Sequence, residues 1–106
     1  YQWKGAMTFD ELEESVSQWH RDRNLIEGST DAKQMGKLVE EVDELFVDVI
    51  NKNDLRDELG DCLVVLINLA TRNNFNLYEA LEYSFSKIRH RKGKMINGVF
   101  VKEEDL

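Results

Sequence analysis

The chain contains no proline. Proline breaks helix interiors by removing a backbone donor and clashing with the preceding turn. Its absence therefore favours long, uninterrupted helices along all 106 residues. Hydrophobic residues make up 42% and charged residues 33%, a globular rather than a disordered balance. The length suggests one domain. A domain this small buries a modest core and often relies on oligomerisation for further burial.

Four helical segments follow from the spacing of apolar residues. The first is expected from about Thr8 to Leu25. Thr8 and Glu11 stand at capping-box spacing, with hydroxyl and carboxylate each satisfying a free backbone amide. Phe9, Leu12, Val16 and Trp19 mark its buried stripe, and Gly28, Ser29 and Thr30 form the break that follows. The second helix is expected from about Asp31 to Asn51, with Leu38, Val42, Leu45, Phe46 and Val49 inward, and a turn at residues 51–53. The third starts near Asp54 and ends near Asn73 or Asn74. Its second half is apolar on nearly all sides, so it is the expected central helix. The fourth runs from about Asn76 to Lys92, with Leu77, Ala80, Leu81, Phe85 and Ile88 inward and Gly93 as its end. The tail changes period: Asn97-Gly98 between short apolar runs is a hairpin signal. The expected fold is all-α, a four-helix bundle with a short C-terminal hairpin-like tail.

Two acidic segments stand on consecutive expected helices. The second helix carries Glu40, Glu41, Asp43 and Glu44, and the third carries Glu58 and Asp61. The interval between Glu44 and Glu58 accommodates a helix end, a short turn and a new helix start, which makes the two helices antiparallel neighbours. Residues three or four apart share a helix face, so Glu41 pairs with Glu44, Glu40 with Glu44, and Glu58 with Asp61. Glu41, Glu58 and Asp61 border the apolar stripes rather than lying opposite them. Two carboxylates about 4 Å apart repel by roughly 4 kcal/mol at an effective dielectric near 20, so several converging need cations or protons. Hard divalent ions take such oxygen ligands. No cluster of His or Cys supports zinc. The bland reading of the same residues is two acidic helix faces paired with lysines, and spacing alone leaves both open.

The run Lys37-Leu38-Val39-Glu40-Glu41-Val42-Asp43-Glu44-Leu45, followed by Asp57-Glu58-Leu59-Gly60-Asp61-Cys62-Leu63, resembles the all-alpha NTP pyrophosphohydrolase superfamily, MazG-like proteins in particular. That family's signature is EExxE, a spacer, then ExxD. The resemblance covers nearly all of the chain from Thr8, and the tail from Gly93 to Lys102 looks like the ending of short, often phage-borne members. It implies magnesium-dependent cleavage of a nucleoside triphosphate to monophosphate and pyrophosphate, with manganese as a substitute ion. It also implies a homodimer or tetramer. By motif match it makes Glu41, Glu44, Glu58 and Asp61 the metal ligands and Glu40 the general base or a ligand of a second ion. Residues 8–106 then form a single MazG-like helical domain.

Other residues have two readings each. Lys37 stands one turn before Glu41 and either contacts a phosphate or pairs with that carboxylate. Asn68, on the same face as Asp61, contacts the nucleoside or is a satisfied core asparagine. Trp19 stacks on a base or packs in the core. Lys87 and Arg91 contact substrate phosphates, or complement a helix C-terminus. Asp48 is expected to be solvated or ion-paired, and His20 and Arg23 to be surface residues. The lone Cys62 fits a buried small apolar position better than a nucleophile, and one cysteine fits a reducing cytoplasm, the host's if the chain is phage-encoded. A net charge of −7 disfavours sequence-independent DNA binding, and the longest apolar stretch, Cys62 to Ala70, is too short to cross a bilayer. Tyr1 to Ala6 look unlike a helix start, so residues 1–7 are read as an extension, with Met7 a natural start after an appended remnant. The competing functions are a catalytically weak helical sensor of nucleotide and metal, and an oligomerisation module with incidental acidic faces.

Overall fold

The structure is a computed structural model that describes residues 5–106; Tyr1 to Lys4, within the extension expected before Met7, lie outside the described residues. Four helices follow one another: α1 (Phe9–Asp22), α2 (Asp31–Ile50), α3 (Arg56–Arg72) and α4 (Leu77–Ile88). A two-stranded antiparallel hairpin, β1 (Gly93–Ile96) and β2 (Val99–Lys102), ends in a short 3-10 turn. The all-α, four-helix expectation holds.

The helix ends have local causes. Thr8 caps α1 by accepting from the Glu11 amide, and Thr30 caps α2 by accepting from Lys33. The capping box is only half made: the Glu11 carboxylate accepts from the Thr8 hydroxyl instead of from a backbone amide. α1, α2 and α3 all close in the same way. Asn24, Lys52 and Asn74 take positive φ, and the next amide bonds back to the carbonyl of His20, Asp48 or Ala70. This is the Schellman closure, in which a left-handed residue lets two free carbonyls be satisfied. α1 therefore stops at Asp22, three residues before the expected Leu25. α4 stops at Ile88 rather than Lys92, and Gly93 opens β1 instead of ending the helix. A Cβ at residue 93 would run into the Val101 carbonyl across the hairpin. Asn97 and Gly98, both at positive φ, form the two-residue turn that matches strand twist.

α3 is the central element. Glu41 and Glu44 on α2 face Glu58 near the start of α3, while Asp31 at the start of α2 meets Arg72 at the end of α3. The two helices are antiparallel, as expected. α1 runs antiparallel to α3 on another side: Ser17 bonds Thr71 at 2.8 Å, and His20 Nε2 lies 3.0 Å from the Val64 carbonyl. The side chain of Glu13 accepts from the Leu77 amide and so caps the start of α4.

The faces that meet α3 differ from those expected. On α1 the buried residues are Glu13, Ser17 and His20, one position round from the apolar stripe Phe9, Leu12, Val16 and Trp19. Of that stripe only Val16 is partly covered. On α2 the covered face is Gln34, Leu38, Glu41, Leu45 and Asp48, whereas Val42, Phe46 and Val49 are exposed. On α4, Leu77 and Ala80 turn inward as expected, but Leu81, Phe85 and Ile88 do not. Among the described residues the buried apolar ones are Cys62, Val65, Ile67 and Ala70, all on α3. The Cα radius of gyration is 16.7 Å, against about 13 Å for a compact domain of roughly 100 residues. The bundle is open, with an apolar seam left uncovered on each outer helix.

His20 is buried rather than on the surface because every polar atom around it is matched. The Val64 carbonyl can only accept, so Nε2 carries the imidazole proton. Nδ1 then accepts from the Asn68 amide at 3.3 Å. Burial lowers the His20 pKa, with the Val64 bond acting against it. Asn68, fully buried, gives its second amide proton to the Leu25 carbonyl and accepts from Arg72. The Arg72 guanidinium donates to the carbonyls of Leu25 (3.2 Å), Ile26 (2.6 Å) and Ser29 (2.6 Å), and its Nε pairs with Asp31 at 2.7 Å. One side chain thus fixes the α1–α2 loop and the start of α2 on the end of α3. Replacing Arg72 by Met leaves the Ile26 and Ser29 carbonyls without a side-chain donor and the Leu25 carbonyl with the Asn68 amide alone. A loss of about 2–4 kcal/mol is expected, measurable as a lower urea midpoint. Arg72→Lys recovers little of it, since an ammonium lacks the planar fork.

Candidate metal centre

The carboxylates lie where the helix pair begins to turn. Glu41, Glu44 and Glu58 each offer an oxygen, and these oxygens lie within 4.8 Å of one another. Asp57, Glu58 and Asp61 form a second group by the same measure. Glu58 belongs to both. The four residues singled out as metal ligands are therefore brought to one place, with Asp61 joined to the others through Glu58. Asp57 enters beside them. Its spacing of four from Asp61 was a signal in the sequence, by the same rule that pairs Glu58 with Asp61.

Glu41 and Glu58 are buried, and one carboxylate oxygen of each has no hydrogen-bond partner. Buried unpaired polar atoms are costly. Together with an all-oxygen donor set, this fits a hard divalent ion.

The protonation pattern describes the same strain. Glu58 is pushed up to about 8, first by burial and then by the neighbouring Glu41 and Glu44. Glu41 is held below its ordinary value by a hydrogen bond with Glu58 and by the ammonium of Lys37. The two carboxyls cannot both ionise at close range, so Glu58 keeps a proton and Glu41 carries the charge. Asp61 is raised by burial and by the charges of Asp57, Glu41 and Glu44. Burial also raises the Cys62 thiol, which keeps it protonated and unsuited to nucleophilic attack.

Glu40 points to solvent and touches Lys37 at 3.5 Å; it is outside both carboxylate groups. Lys37 lies 3.2 Å from Glu41. Asp48 is half-buried and accepts from Asn53. Asn68 is sealed in the α1–α3 contact. Trp19 is exposed, with Arg23 stacked 4.4 Å from its ring centroid. Lys87 sits in the last turn of α4 over Tyr83, and Arg91 lies past the helix end. Neither pairs with an acidic residue among the described residues.

A cleft of about 700 Å³ opens between α1 and α3 beside the acids. Phe9, Leu12 and Val16 form one wall and Leu63, Val64 and Ile67 the other, with Asp57 and Asp61 at its edge. Phe9, Leu12 and Val16 of the α1 apolar stripe line this cleft, and Trp19 lies outside it. Among the described residues no helix is long and apolar enough to cross a membrane.

Residues 29–96 match the model of the MazG nucleotide pyrophosphohydrolase domain. The chain is also 46% identical over 68 residues to an uncharacterised 18.2 kDa protein from the rep-hol intergenic region of Haemophilus phage HP1. That match covers 62% of this chain and 42% of the phage protein. No solved structure matches the chain.

Glu58 gives the metal-free protein a pH dependence. Folded, it holds its proton up to about pH 8; its ordinary value is 4.5. Between these values the folded state binds more protons than the unfolded chain, so this stabilisation is complete below the lower value and fades as pH rises through the upper. The raised Asp61 adds in the same sense. Thermal melts without metal should therefore fall in midpoint from about pH 5 to about pH 8, and Glu58→Gln should flatten that decline.

Proposed function

The chain belongs to the MazG nucleotide pyrophosphohydrolase domain family, and from that premise we propose that it hydrolyses nucleoside triphosphates to monophosphates and pyrophosphate with magnesium, or manganese in its place. The observation that carries this reading is the convergence of Glu41, Glu44 and Glu58, with buried carboxylate oxygens that no protein group satisfies.

Glu41, Glu44, Glu58 and Asp61 hold the ion, and Asp57 supports Glu58 and Asp61 at the edge of the cleft. A divalent ion held there supplies neutralisation of phosphate oxygens and a lowered pKa for an adjacent water. Glu40, on the exposed side of the same helix, accepts the proton of the attacking water. The apolar cleft has the size of a small-molecule site. Its walls seat the nucleoside while the phosphates lie toward Asp57 and Asp61. The reaction serves housecleaning or regulation of a cytoplasmic nucleotide pool, the host's where the chain is phage-borne like its relative.

The protein acts as a homodimer or tetramer in this reading. Met35, Val39, Val42, Phe46 and Val49 repeat at alternating spacings of four and three along α2 and are all exposed. That spacing is the seam of helix-on-helix packing, and it lies beside the seam that α3 already covers.

A panel of canonical and modified ribo- and deoxynucleoside triphosphates, assayed with magnesium for pyrophosphate release, tests the activity. Release is expected with at least one of them. Glu41→Gln or Asp61→Asn should lower kcat by about a hundredfold or more with the fold intact by circular dichroism. Retained turnover in either would sink the ligand assignment. Phe46→Glu places a charge in the exposed α2 seam, and a shift to monomer in analytical ultracentrifugation is expected; an unchanged oligomer excludes this seam.

A further inference from the structure

Lys37 works against holding a metal ion. Its ammonium lies 3.2 Å from Glu41 and 3.5 Å from Glu40. Among the described residues it is the only cation paired with any of the converging carboxylates. The two ends of the pair are unlike. The Glu41 side chain is 9% accessible and the Lys37 side chain 54%. The acid is fixed within the α2–α3 seam, while the ammonium reaches in from solvent on a flexible four-carbon stem.

A divalent ion on Glu41, Glu44 and Glu58 would compete for the oxygen that the ammonium now faces. Two cations a few ångströms apart repel, and less strongly where one of them can move into water. Glu41 cannot give its charge fully to both. The ammonium can leave, because its stem is exposed and its other partner, Glu40, is itself in solvent.

We propose that Lys37 is the resident counter-ion of the site: it neutralises Glu41 in the metal-free protein, is displaced by the divalent ion, and is then taken up by the phosphate chain of the incoming nucleotide. This rests on the pyrophosphohydrolase reading above. It makes metal and nucleotide favour one another through Lys37 as well as through their direct contact, a coupling that is reciprocal. An ordinary exposed helix pair at this spacing contributes little to stability and would leave metal affinity unchanged.

The test is Mn²⁺ binding to the nucleotide-free full chain, followed by the electron paramagnetic resonance of the free ion. Lys37→Gln should bind Mn²⁺ about three- to tenfold more tightly than wild type, because a like charge beside the ion has gone. Lys37→Arg keeps the charge and should keep the wild-type affinity. In turnover the effect reverses, with KM for the nucleoside triphosphate raised in Lys37→Gln. Equal or weaker Mn²⁺ binding by Lys37→Gln overturns the counter-ion role while the carboxylate site stands. Tighter binding with an unchanged KM overturns the transfer to phosphate. Failure of the wild-type chain to bind Mn²⁺ removes the metal site and this role together.

Discussion

Two buried carboxyls, Glu41 and Glu58, meet across the α2–α3 seam, and they can do so because one of them keeps its proton. Glu41 and Glu58 occupy positions where a bundle ordinarily places leucine. Leu38 and Leu45 lie one turn to either side of Glu41, so the seam is apolar next to the acids, with Gln34 and Asp48 on the same face farther out. The helix pair stays closed because both of its ends are held. At one end the turn 51–55 joins the two helices directly, and α2 closes there through Lys52, with the Asn53 amide on the Asp48 carbonyl. At the other, Arg72 binds three loop carbonyls and Asp31. Between these clamps, a proton on Glu58 and the ammonium of Lys37 reduce the net charge that the seam must contain.

The outer helices show what periodicity can and cannot reveal. Apolar spacing located α1, α2 and α4 correctly and identified an apolar stripe on each. It did not reveal which stripe meets α3. On α1 the docking face is Glu13, Ser17 and His20, whose partners Leu77, Thr71, Val64 and Asn68 are remote in sequence. A polar residue is buried when it finds a partner, and such partnerships have no period. On α2 and α4 the covered and exposed seams are adjacent, one residue apart, so the stripe read from the sequence mixed the two. Only Leu38 and Leu45 of the α2 set, and Leu77 and Ala80 of the α4 set, fall on the covered side.

The acidic site was legible for the opposite reason. Its members sit three or four residues apart on regular helices, and a short turn brings the two helices together, so local rules fix most of the geometry. The hairpin was legible too, because Asn97-Gly98 meets a backbone requirement that few other pairs satisfy. Arg72 and Glu13 were not, since their value lies in carbonyls and amides supplied by distant segments. The early end of α4 was not legible because Gly93 carries two meanings. It is a helix terminator in general, and here it is the position at which the strands approach too closely for a side chain.

The uncovered apolar seams and the carboxylate cluster are two consequences of one arrangement. The second half of α3 has apolar residues on nearly every side, and the helix packs against three others at once. Each outer helix gives it a mixed or polar face, which leaves the strongest apolar stripe of that helix elsewhere. On α1 the Phe9, Leu12 and Val16 part of this stripe becomes the wall of the cleft beside Asp57 and Asp61. On α2 it becomes a continuous exposed seam on the side next to the acids. Had α1 docked through Phe9, Leu12 and Val16, the cleft would be filled and the acids would border solid core. The polar docking of α1, through Glu13, Ser17 and His20, is therefore what keeps an apolar space open next to charged groups. In the proposed reading the apolar walls seat the base, and the acids meet the anionic phosphates only through a divalent ion.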